Sequence, residues 1–405
     1  MAKQRKTLHP SVHSQPFTST KSLTRQHRRT GILLLLGSAA GIGMTVATSG
    51  MALSQNSQTP VTKTTAVAPN VPTKTRLAHI QLNDVTAVAA RKGWLQEEFA
   101  KYNATVDLVS TSSYGSSGTV AALFDRGDLH ISKSMMNGSL QNRVQGLDIS
   151  VIWVAEVAVP RRATTFVLAD TDIRTVADLK GKTLGSGLTL CPYYASVEAL
   201  KAQGVTVDNE FRKGDMRYVN ITGLTATSAF LARRFDAWAA HPAGTNTASL
   251  FIRGDVREVA TAVPGGVYVT SGGRDVYSVY RKWSEQNPDL VKAFLVVLDR
   301  TTRWLYANNG ANLNEAVKIA AREMRNPISV EAYLFKDESR TTFSWGEPNH
   351  TTSVLAIQKF LHHNIAEKDP FFTKHPLSDK DVEAFVDRRF FAGGEYFVDP
   401  SPRKQ

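Results

Sequence analysis

The sequence predicts an α/β protein built in two lobes, and three observations carry that expectation. Strand, loop and helix follow one another three times between residues 75 and 146. Two uninterrupted apolar runs, DISVIWVAEV from Asp148 and TTFVLA from Thr164, fit strands buried on both faces of a mostly parallel sheet. The 405 residues exceed one ordinary domain, and 42% hydrophobic with 21% charged content suits a soluble chain with a sizeable core.

Residues 1–54 have the layout of an export leader. A basic region ends at Arg28 and Arg29, an uncharged run GILLLLGSAAGIGMTVATSG follows, and small residues around Ala52 and Ser54 offer a cleavage point. The adjacent arginines resemble a twin-arginine signal, with Gly31 where that motif usually has a Phe, so both Sec and twin-arginine export stay open. The apolar run is also about long enough to span a bilayer as an uncleaved anchor, but its Gly, Ala and Ser content favours cleavage. A formal net charge of +12 raises nucleic acid or an acidic surface as a partner. However, seven Lys and Arg with no Asp or Glu lie in the leader, leaving +5 on the rest. The single cysteine, Cys191, rules out an internal disulfide and disfavours a lipid anchor, which needs a Cys at the cleavage point. Residues 55–74, rich in Thr, Pro and Asn, read as a flexible linker.

In chain order, TRLAHI (75–80) is the first strand, followed by a polar loop containing Gln81 and Asn83 and a helical run through Ala87, Ala90 and Trp94. TVDLV (105–109) is the second. The Ser/Gly loop STSSYGSSG after it offers hydroxyls and backbone donors at a helix start, and that helix stops at Gly127. DLHIS (128–132) is the third strand, leading through Ser132, Lys133 and Ser134 into a helix ended by Gly146. In the stretch 175–204 a short helix, a small strand and a loop open a second helix. Pro192 takes its first position, Cys191 its N-cap, and Gly204 its stop. A strand feeding a helix N-terminus suits an anion. MRYVNI, a short helix (225–233) and the buried strand of FDAWAAHPAG come next, with Trp238 at the strand end and His241 just past it. No second His or carboxylate accompanies His241 at metal spacing, so no metal or other cofactor is expected. GGVYVTS (265–271) reads as the strand returning to the first lobe. Beyond it lie amphipathic helices: a long one capped at Asn287 with Leu290, Phe294, Val297, Leu298 and Leu305 on one face, then others from Leu313, Val330 and Ser353.

The order and spacing of KGWLQEEFAKY (92–102), VAALFDRGDLHIS, TVADLKGKTLG, VNITGLTATSAFLARRFDAWAAHP and QNPDLVKAFLVVLDRTTRWLYANN resemble the periplasmic substrate-binding proteins of ABC importers for nitrate, taurine and alkanesulfonates. The resemblance runs from Arg76 to about Phe390. It implies a two-lobed periplasmic-binding-protein fold of type II, the Venus flytrap. Lobe 1 would take residues 75–160 and return over 265–390, lobe 2 would take 161–264, and 391–405 would form a tail. It places the ligand among Gln81, Asn83, Ser113, Ser132, Ser134, Thr189, Cys191, Tyr194, Trp238, His241 and, from the C-terminal helices, Trp345. The chain departs from the family where Ala240, His241 and Pro242 replace a Trp-Asp-Pro type run and where Arg233 and Arg234 replace a Gly.

The function implied is a periplasmic, monomeric, non-enzymatic binding component. Its ligand would be a small oxyanion or organosulfonate, its partners a permease and an ATPase at the inner membrane, and nucleic acid no partner. Two other readings share the fold: an enzyme of desulfinase or thiamine-pyrimidine-synthase type with Cys191 as nucleophile, and a ligand sensor reporting to a membrane partner. Against the enzyme, the desulfinase pattern places its Cys where Asn83 stands here, and the Cys-rich motif of the synthase is absent.

Overall fold

The first strand, β1 (Arg76–Gln81), buries Ala78 and Ile80 on one face, and Asn83 ends the turn after it. The Asn83 side chain accepts the Val85 and Thr86 amides at 3.0 and 3.1 Å while the Thr86 hydroxyl accepts the Asn83 amide, a reciprocal cap that starts the helix Asp84–Arg91. Gly93, at φ 76°, separates that helix from Trp94–Ala100. These coordinates are a computed structural model, which describes residues 74–111, 117–156, 164–188, 190–241, 245–335 and 343–400. Of the two compact units of the chain, Met1–Ala66 and Val67–Gln405, only the second holds described residues. The predicted leader, nearly all of the linker, Ser113 and Thr189 lie outside them.

The chain continues through β2 (Ala104–Val109), the helix Ser117–Asp125, β3 (Ile131–Met135), the helix Met136–Val144 and β4 (Ile149–Val154). After a first crossing come β5 (Thr164–Leu168), β6 (Thr183–Ser186), the helix Cys191–Lys201, β7 (Arg217–Asn220), the helix Gly223–Leu231, β8 (Ala237–Ala240), the helix Thr245–Arg253 and β9 (Val256–Thr261). A second crossing leads to β10 (Asp275–Tyr280) and then to helices, the longest described being Pro288–Tyr306. Two five-stranded sheets result, ordered β2-β1-β3-β10-β4 and β7-β6-β8-β5-β9. In each, the strand that enters directly after a crossing, β5 or β10, runs antiparallel to both neighbours.

Several expectations shift. The apolar run at β4 was expected at a sheet centre and lies at an edge. It is apolar because later chain covers it: Val151 bridges Val386, and Ala155 bridges Gly346. The return strand is not GGVYVTS. That segment forms a π-helical turn, Tyr268–Gly272, and β10 follows it. Its glycines explain the turn: Gly265 sits at φ 74°, a Cβ on Gly266 would lie 2.5 Å from Glu198, and one on Gly272 would overlap the Phe360 ring. The third strand begins three residues later than expected, so Ser132 and Ser134 belong to β3 itself. Leu190, not Cys191, holds the cap position of the helix Cys191–Lys201, and Cys191 is its first residue. Strand β9 and the helix Thr245–Arg253 had not been expected.

The long helix Pro288–Tyr306 buries Leu290, Phe294, Val297, Leu298 and Leu305 against Ala78, Ile80, Leu95, Phe99 and Tyr277 of the first sheet's layer. It stops where Asn308 and Asn309 turn to φ 51° and 56°. A second core cluster joins the halves: Leu123, Phe124, Met136 and Leu140 pack in it with Cys191, Tyr193 and Tyr194.

Candidate functional site

Three sets of polar side chains lie at or near the places where strands of the two sheets give way to loops and crossings. On the first sheet, Gln81 closes β1. Its Oε1 accepts the Ser132 hydroxyl at 2.9 Å and the Lys133 amide at 2.7 Å, and its Nε2 donates to Thr111 Oγ1 at 2.8 Å. Beside it a hydroxyl chain runs from Ser134 to Ser139 (2.7 Å) and on to Ser278 (2.8 Å). Gln81, Ser132, Ser134, Ser139 and Ser278 line one cavity of about 110 Å³. Hydroxyls and amides of this kind can reorient to donate to an oxyanion.

On the second sheet, His241 follows β8 and its Nε2 touches Cys191 Sγ in the first turn of the helix Cys191–Lys201. The Thr247 hydroxyl donates to the His241 carbonyl. A thiol and an imidazole in contact at a helix N-terminus can share a proton, and the first-turn amides favour negative charge there.

Arg274, 3% exposed, ends the second crossing, immediately before β10. Its Nε donates to the carbonyl of Ala155, just past β4, and its own carbonyl accepts the Met136 amide at 2.9 Å. Its buried Nη2 has no hydrogen-bond partner. Burial lowers its pKa to about 10, while the more distant carboxylates of Glu347 and Glu156 act the other way. Lys133, one strand over, is instead satisfied by Asp275 at 3.2 Å.

Of the other residues named from sequence, Asn83 spends its Oδ1 on the helix cap. Tyr194 packs on Phe360 (5.2 Å between centroids), and its hydroxyl accepts from Gln141 at 3.4 Å. Burial holds that hydroxyl's pKa well above the usual tyrosine range. Trp238 is buried among Phe166, Phe230 and Phe235, in a core cluster of the second lobe. Trp345 stacks on Tyr306 and lines a cavity of about 30 Å³ with Trp153 and Leu298. The structure thus brings together Gln81 with Ser132 and Ser134, and Cys191 with His241; Tyr194 packs in the same core cluster as Cys191, and the side chains of Asn83, Trp238 and Trp345 are engaged elsewhere. Arg274 was missed. Its only signal was a charged pair, Arg274-Asp275, between two glycines and an apolar strand. Among the described residues no group of three or more His, Cys, Asp or Glu could hold a metal ion.

Residues 85–311 match the family described as NMT1/THI5 like. The chain belongs to that family. No curated protein matches its sequence. Among solved structures, the NMT1/THI5-like chain is similar to the alkanesulfonate-binding protein SsuA from Xanthomonas axonopodis pv. citri bound to MOPS, at 17% identity over 73% of this chain and 93% of that one, with a TM-score of 0.57. It is similar to the periplasmic aliphatic sulphonate binding protein SsuA from Escherichia coli at 17% identity, 82% and 97% coverage and a TM-score of 0.60. It also resembles the periplasmic nitrate-binding protein NrtA from Synechocystis PCC 6803, at 14% identity, 78% and 86% coverage and a TM-score of 0.54. At these identities the likeness is one of fold, and it is the two-lobed periplasmic-binding-protein fold expected from the sequence.

Proposed function

We propose that the chain is the extracytoplasmic solute-binding component of an ABC importer and holds a small oxyanion or organosulfonate between its lobes. Arg274 carries this reading. A buried guanidinium with an unused N–H costs desolvation energy that an anion between the crossings would offset with a charge-assisted hydrogen bond. The Ser132, Ser134 and Gln81 group supports it with neutral donors, and the helix start at Cys191 supports it with backbone N–H groups. The permease and ATPase are the partners this role requires, and the leader would deliver the protein to the periplasm. No helix among the described residues is long and apolar enough to cross a membrane. In a thermal-shift and calorimetric panel of nitrate, taurine and short alkanesulfonates, at least one ligand should raise the melting temperature. Arg274→Gln should weaken that ligand by about 10- to 100-fold, the worth of one charge-assisted hydrogen bond. Binding of every anion unchanged in Arg274→Gln would defeat the assignment.

The Cys191 and His241 contact favours a second reading, an enzyme on the same fold with a thiol nucleophile and an imidazole base. Cys191→Ser separates the two. For a binding protein it should leave ligand affinity within about tenfold, roughly 1.4 kcal/mol. Turnover of a sulfinate or sulfonate by the wild type and not by the variant would establish the enzyme instead.

A further inference from the structure

A second cavity of about 360 Å³ opens beside the second crossing, between the helix Cys191–Lys201, the π-helical turn and the C-terminal helix His350–Ala366, a volume in the range of small-molecule sites. Its apolar wall is aromatic: Tyr193, Tyr194, Tyr268 and Phe360 all face it, with the Tyr193 and Tyr194 rings edge to face at 5.5 Å. Its polar wall is acidic in balance. Glu198, Glu367 and Asp369 line it against the cations Lys201 and Arg212 and the imidazole of His363, and both cations pair with Glu367, at 2.5 and 3.2 Å. Glu198 is held by the Val267 and Tyr268 amides at 2.6 and 2.9 Å, and Asp369 makes no direct ion pair, with Arg212 near enough to favour its charged form.

Asp369 is 4% exposed. Its Oδ1 caps the helix Pro370–Lys374 through the Phe371 and Phe372 amides at 3.0 and 2.8 Å, and its buried Oδ2 makes no hydrogen bond. Burial raises its pKa, an effect that the Phe372 and Phe371 amides, the Tyr194 hydroxyl and the Arg212 guanidinium oppose. A carboxylate oxygen left over in an aromatic enclosure matches an ammonium group, which would hydrogen-bond to the oxygen and lie against the ring faces.

We propose that this cavity is a second ligand site, separate from the anion cleft, that takes a small organic ammonium compound, with Asp369 reading the charge and the tyrosines enclosing the organic body. The test uses 2-phenylethylammonium as probe, with 2-phenylethanol and 3-phenylpropanoate as its neutral and anionic counterparts, in calorimetric titrations of the full chain. The ammonium should bind at least about tenfold more tightly than either counterpart. Asp369→Asn, which retains an oxygen for the helix cap, should erase that preference. Val197→Trp, which fills the cavity from the facing helix and leaves Asp369 in place, should abolish binding of the ammonium. The proposal falls if the ammonium gives no binding up to about 10 mM, if the alcohol binds equally well, or if the ammonium binds both variants as it binds the wild type.

Discussion

His130 shows how much of this protein's pH response rests on single side chains. Its ring stacks on Trp283 (4.5 Å, 10° between planes), and its Nδ1 accepts the His79 amide at 3.0 Å. Burial first, and the neighbouring His79 second, lower its pKa from 6.5 to about 4. Between those values the unfolded chain binds a proton that the native one refuses. The contribution is therefore whole above pH 6.5 and is lost as pH falls toward 4, to a total of roughly 3 kcal/mol. Glu331, whose pKa burial raises to about 7, works the opposite way over the same range, so the His130 contribution is read by urea denaturation at pH 7 and pH 4.5 as a difference between wild type and variant. His130→Asn, whose Oδ1 can take over the His79 amide, should lose markedly less; equal losses would remove His130 from the account. At the same scale, sequence gave unequal access to the candidate site. Cys191 stood out as the sole thiol, and His241 as a histidine past a strand, but their contact joins residues 50 apart and depends on β6 and β8 lying side by side. Arg274 was invisible because its significance is a buried N–H without a partner, a property of the packing around it.

Elements were legible where local pattern and tertiary role agree. The helix Pro288–Tyr306 shows its buried face in its spacing and its stop in Asn308 and Asn309, and β1 shows its core face by alternation. They were misread where burial overrides pattern. Val267, Val269 and Ser271 alternate like a strand, yet the segment winds into a turn because Phe360 and Glu198 press against its glycines. That contact gives a sharp prediction. Phe360 is 1% exposed and wedged against Tyr194 and Phe372, so it cannot yield to a methyl group at residue 272. Gly272→Ala should destabilise the protein by about 1–3 kcal/mol, read as a lower urea midpoint at unchanged slope. A wild-type midpoint would show that the turn can move away from the helix.

For the molecule as a whole, the alternation of apolar strands and Ser-rich or Gly-rich loops predicted the α/β class, while the two lobes followed from the chain length and from the family resemblance. The sheet order was not legible, because β3 and β10 pair although about 140 residues separate them. If an anion binds between the lobes, small-angle scattering at saturation should report a smaller radius of gyration, and an unchanged value would argue against closure. Besides the shared core cluster, polar ties join the segment 201–212 to the C-terminal helices. Lys201 and Arg212 reach Glu367, and Glu210 reaches Lys374 at 2.7 Å, all at partly or fully exposed side chains. Such pairs weaken as the Debye length falls from about 10 Å at 0.1 M salt to 3 Å at 1 M. Salt should therefore slacken this clasp: without ligand, small-angle scattering should give a radius of gyration at 1 M salt no smaller than at 0.1 M, and a smaller one would rule the ties out as a restraint on opening.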